Sequence, residues 1–152
     1  MSSAPVLVID TNILVGALMS DGGAPRRVLR HCLTGAYQPV VGAALYTEYE
    51  DVFGRDSLFS ATGVSPSERA TVLNAFLSRC QWVDVYFGWR PNLPDEADNH
   101  LVELAVAASA AAIVTRNIRD LARGELRFPH IKILRPELCL ERFDVNSDHP
   151  PA

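Results

Sequence analysis

The chain has 152 residues, enough for one domain with its own core, and its 48% hydrophobic and 21% charged residues are those of an ordinary globular protein. A net charge of −4 gives no overall attraction for nucleic acid, so any such binding must come from a local patch. Cys32, Cys80 and Cys139 are odd in number and lack CxxC spacing, which argues against a disulfide framework or a zinc site and fits reduced, buried thiols.

Met1 to Pro5 places no basic region before its apolar run, and the longest apolar stretch, Leu104 to Val114, is interrupted by Ser109 and too short for a bilayer. A cytoplasmic protein with no membrane partner is the expectation. Val6-Leu7-Val8-Ile9 has no polar alternation and reads as a strand covered on both faces, as in a parallel sheet. Asp10-Thr11-Asn12 follows at once, then a helix-compatible run from Ile13 to Leu18. In open α/β sheets ligands bind beyond the carboxyl ends of the strands, where Asp10 stands. Asp10 or Asn12 also suits the N-cap of the next helix, so both roles stay open.

Asp21-Gly22-Gly23 predicts a turn, and Pro25 opens a helix to about Leu33. Gln38 to Val41 is a second strand, and Ala43 to Phe53 a helix broken near Gly54. Ser65-Pro66-Ser67-Glu68 combines an N-cap serine, proline at the first helical position and glutamate three residues after the cap. The helix it opens carries Val72, Leu73, Phe76, Leu77 and Cys80 at helical spacing. Trp82 to Tyr86 predicts a third strand and Phe87 to Pro94 a loop. A helix over Glu96 to Ser109, a strand over Ala112 to Thr115, a short helix over Ile118 to Ala122, a strand over Ile131 to Ile133 and a helix from Pro136 to about Phe143 complete the series. The pattern predicts one domain over residues 1–143, three-layer α/β/α with a mainly parallel central sheet, and a polar tail over 144–152.

Other carboxylates fall at comparable places: Glu48 on the helix after the second strand, Asp98 in the first turn of the alanine-rich helix, and Asp120 beyond the fourth strand. Each has an ordinary alternative. Asp98 complements a helix dipole, Asp120 can pair with Arg116 or Arg123, and Glu48 can belong to a solvated face with Glu50 and Asp51. Carboxylates gathered in one crevice repel one another unless a cation sits among them, and Mg²⁺ or Mn²⁺ suits all-oxygen donors. Such an ion acidifies water and neutralises charge on phosphoryl groups, which points to phosphodiester hydrolysis. Thr11, Asn12, Thr115 and Asn117 stand beside these acids as groups that orient ligands or water.

Taken together, these segments resemble the PIN-domain nucleases, in particular the bacterial VapC-like ribonuclease toxins of toxin–antitoxin pairs, from about Val6 to Arg135. The run from Val8 to Val15 around Asp10 resembles the family's opening strand and first acid. The stretch from Pro39 to Val52 with Glu48 resembles its second acid segment, Pro94 to Asn99 with Asp98 its third, and Ile113 to Leu121 its fourth. Many PIN domains carry Asp where Asn117 stands; here the fourth role passes to Asp120. The resemblance implies a Mg²⁺- or Mn²⁺-dependent endoribonuclease, a homodimer that a small antitoxin neutralises. Asp10, Glu48 and Asp98 would hold the metal, with Asp120 completing the catalytic set and Glu48 the nominee for accepting a proton from water.

Arg116, Arg119, Arg123 and Arg127 sit beside the fourth acid; all but Arg116, a candidate substrate contact, read as a solvated face. Phe87-Gly88-Trp89-Arg90-Pro91 suits base stacking or protein packing alike. His100, near Asp98, reads as structural. A catalytically inactive PIN-like RNA- or protein-binding scaffold is the alternative to the nuclease. A phospho-receiver is disfavoured because no acid ends a central strand in combination with the one lysine, Lys132.

Overall fold

The computed structural model describes residues 4–19, 22–85, 96–119, 121 and 128–145, and for residues 96–99 the helical backbone alone. Among the described residues, five strands form one all-parallel sheet: β1 (Val6–Ile9), β2 (Gln38–Val41), β3 (Gln81–Trp82), β4 (Ala112–Val114) and β5 (Lys132–Leu134). Their order across the sheet is β3-β2-β1-β4-β5. The helices between them are α1 (Thr11–Met19), α2 (Ala24–Thr34), α3 (Ala43–Phe53), α4 (Asp56–Phe59), α5 (Pro66–Arg79), α6 (Glu96–Ala108) and α7 (Pro136–Arg142). Residues 118–119 and 121 are helical as well.

The unbroken apolar run of β1 is explained by its central position. Leu7, Val8 and Ile9 are at most 1% exposed, with β2 on one side in register Val8↔Val40 and β4 on the other in register Val8↔Ile113. On one face α1, α2, α5 and α7 pack on one another, with Val28, Cys32, Phe76 and Cys139 buried among them. α6 contacts β1, β2 and β4, and the right-handed rule for parallel crossovers sets it on the opposite face, which makes three layers.

Helix ends follow local chemistry. The capping box predicted from Ser65 and Glu68 is present in both directions, Glu68 N–H to Ser65 Oγ at 3.1 Å and Ser65 N–H to the Glu68 carboxylate at 3.1 Å. Gly35 ends α2 with φ of 87°, a left-handed conformation that favours glycine.

Some elements differ from the expectation. β3 covers Gln81–Trp82 rather than Trp82 to Tyr86, because its partner β2 turns into α3 after Val41; one last bond, Val83 N–H to Val41 C=O at 2.8 Å, closes the ladder. β5 is displaced by one residue, to Lys132–Leu134. The short α4 was not expected; it seats Phe59, 1% exposed, beneath the guanidinium of Arg69.

Candidate active site

Strand order determines where a ligand site forms. The chain leaves β1 towards β2 and β3, then returns to build β4 and β5 on the other side. The crevice beyond the carboxyl ends of β1 and β4 is therefore the switch point of the sheet. Asp10 ends β1 and Thr115 ends β4, and the Asp10 N–H donates to Val114 C=O at 2.9 Å.

At that point Asp10 is only 6% exposed and Thr115 is fully buried. Thr115 Oγ1 donates to Asp10 Oδ2 at 2.7 Å, and Asn12 Nδ2 donates to the same oxygen at 3.2 Å. The network continues outward: Asn117 N–H donates to Thr115 Oγ1 at 2.9 Å, and Arg116 N–H to Asn12 Oδ1 at 3.3 Å. Behind it, Tyr49 on α3 donates its hydroxyl to Ile9 C=O, fixing the end of β1. The Asp10 carbonyl accepts from Ile13 N–H at 3.0 Å as the first bond of α1, while its carboxylate is held by Thr115 and Asn12.

The electrostatics are those of an anionic crevice. Burial pushes the Asp10 carboxyl above its ordinary range, the Thr115 hydrogen bond opposes this, and the nearby negative charge of Glu48 adds to it. Glu48, from α3, meets α6 through His100, with Oε2 to Nε2 at 3.3 Å. The imidazole holds the Glu48 carboxyl below its ordinary value. Glu48 Oε2, Thr11 Oγ1 and His100 Nδ1 are all sealed from solvent; none makes a well-aligned hydrogen bond among the described residues, and Glu48 Oε2 has the longer contact to His100 Nε2.

This arrangement fits a hard divalent cation. Asp10 and Glu48 supply oxygens only, Glu48 Oε2 is buried with a single long contact to His100, and added positive charge would relieve the raised carboxyl of Asp10. The described side chains contain no group of three or more His, Cys, Asp or Glu able to hold a metal. Asp98 lies in the first turn of α6, with its side chain outside the described residues. Asp120 and the segment from Phe87 to Pro91 also lie outside them.

Of the predicted residues, Asp10, Thr11, Asn12, Glu48, Thr115 and Asn117 line this crevice or its approach. Arg116 stands at its rim, exposed and 3.6 Å from Glu137. His100, read from sequence as structural, touches Glu48 instead. The signal for it is spatial: only the packing of α3 against α6 brings positions 48 and 100 together. The three cysteines are free, and burial pushes their thiols upward, those of Cys80 and Cys139 to about 12, which keeps them protonated and unreactive.

No curated protein matches the chain in sequence. A solved structure, VapBC2 from Rickettsia felis bound to a DNA fragment from their promoter, contains a chain that matches with a TM-score of 0.54 and 17% identity; the match covers 86% of this chain and 98% of that one. It shows a shared fold. The family model of the PIN domain matches residues 6–119, from the first residue of β1 past the end of β4, so the chain belongs to the PIN domain family.

Proposed function

We propose that the protein is a Mg²⁺- or Mn²⁺-dependent endoribonuclease and the toxin of a toxin–antitoxin pair, acting as a homodimer in the cytoplasm. The observation that carries this reading is Asp10, a carboxylate 6% exposed at the switch point, braced by Thr115 and Asn12 and close enough to Glu48 to feel its charge. PIN-family membership supports nuclease chemistry. The likeness to a chain of the VapBC2 complex motivates the antitoxin partner.

Asp10, Glu48 and Asp98 would hold the cation, with Asp120 completing the catalytic set. When bound, the cation supplies acidified water and charge neutralisation at the scissile phosphate. The chain's own residues do the rest. Thr115 and Asn12 keep the Asp10 carboxylate in one orientation, and the Tyr49 hydroxyl anchors the backbone beneath it. Glu48, kept ionised beside His100, accepts a proton from the attacking water. Because water attacks directly, no covalent link to the protein forms.

The test is cleavage of a mixed tRNA, rRNA and mRNA panel with Mg²⁺ or Mn²⁺. Discrete products that vanish with EDTA, and fall by about 10³-fold in Asp10→Asn, Glu48→Gln and Asp98→Asn, are the expected result. No cleavage by folded wild type would overturn the nuclease and favour the inactive scaffold. Cleavage that survives all three substitutions would mark a contaminant.

A further inference from the structure

A −4 chain with a crevice of carboxylates repels the polyanion it is proposed to cut, so affinity must come from a local source. The strand register supplies one. Asp10 ends β1, Thr115 and Arg116 follow β4, and Arg135 follows β5 directly, with Thr115 N–H bonded to Leu134 C=O at 2.9 Å. Neighbouring strands lie about 4.8 Å apart, so the three strand ends form a row of steps leading away from Asp10. Arg116, Arg135, Glu137 and Leu138 line an open groove of about 650 Å³ on that side.

In the opposite direction the described residues are unsuited to phosphates. Beyond β2 and β3 lies a mainly apolar cavity of about 340 Å³ whose charged lining is the carboxylates Asp84 and Glu103, with His100 at the Glu48 end.

We infer that single-stranded RNA enters over the ends of β4 and β5, its phosphates successively on Arg135 and Arg116, with Glu137 a built-in competitor that the arriving phosphate displaces. The inference rests on the nuclease reading and adds to it the path of the substrate. Guanidinium groups take phosphate oxygens two at a time. Arg116 is positioned for this because its own backbone N–H is tied to Asn12, which bonds Asp10. The Arg116–Glu137 contact, 3.6 Å between half-exposed side chains, is weak enough to yield. Arg135 is exposed and makes no ion pair among the described residues.

The experiment measures binding without cleavage: a short fluorescein-labelled single-stranded RNA of mixed sequence, titrated in EDTA with folded Asp10→Asn protein at several salt concentrations. Adding Arg116→Ala or Arg135→Ala should weaken binding about tenfold. Each should also reduce the slope of log Kd against log salt by ~0.7, the contribution of one phosphate on a single strand. Arg135→Lys should keep the slope, and Glu137→Gln should bind roughly twofold tighter. Unchanged affinity and slope in both alanine variants, an Arg135→Lys that behaves like alanine, or no RNA binding at low salt would each overturn the track. RNA bound through these arginines by a wild type that never cuts it would overturn the nuclease alone.

Discussion

Thr115 is fully buried, and its hydroxyl is a donor to Asp10 that water has no ready access to replace. Thr115→Val keeps the shape and removes the donor, so cleavage should fall ~10–100-fold, as for other groups that orient a ligating carboxylate. Thr115→Ser should restore most of it in the same rate assay. Asp10 itself works against the fold. Burial raises its folded carboxyl above the unfolded value, so its contribution to stability is present at low pH and is lost as pH rises through the folded pKa. Asp10→Asn should therefore raise the metal-free melting temperature at neutral pH by about 2–4 °C while lowering cleavage about 10³-fold, and the gain should vanish in acid. A melting temperature that falls at neutral pH would refute this. Asp10 and Thr115 were legible in the chain because a strand end is a local event: apolar residues stop and polar ones begin. The contact of His100 with Glu48 was not, since it depends on two helices distant in sequence meeting over the sheet.

The punctuation of elements was legible for the same local reason. Ser65, Pro66 and Glu68 state their role within four residues, and Ser65→Ala should cost ~1 kcal/mol in a urea titration by freeing the first amides of α5. Gly35 and Gly42 separate two reasons for glycine. At Gly35 a side chain would find open space but a φ of 87°, so Gly35→Ala should cost about 1–2 kcal/mol of conformational strain. At Gly42 the backbone is ordinary, but a Cβ would lie 3.0 Å from Val83 C=O, so the cost there is steric. That close approach also explains the length of β3. Its residues after Trp82 carry strand-forming side chains, and a sequence shows that propensity but not the end of the partner strand. The four-residue length of α4 hid it likewise, though the burial of Phe59 shows that it helps seal the far end of α3 and α5.

At the scale of the molecule, a cation bound only by the folded state should stabilise it by mass action, ~2.7 kcal/mol at a hundredfold excess over Kd. Thermal melts with and without Mg²⁺ should show a rise of several degrees in wild type that is lost in Asp10→Asn and Glu48→Gln. The layered α/β class followed from alternating strand and helix signals. The strand order did not, because nothing local in β1 says that it will be flanked by β2 and β4, segments about 30 and 105 residues away. That separation has a consequence for synthesis. Asp10 leaves the ribosome more than a hundred residues before Thr115, so its crevice has no second wall until β4 follows. On the nuclease reading, the growing chain is harmless to the messenger and ribosomal RNA that surround it at birth, and the activity is switched on by completion of the sheet.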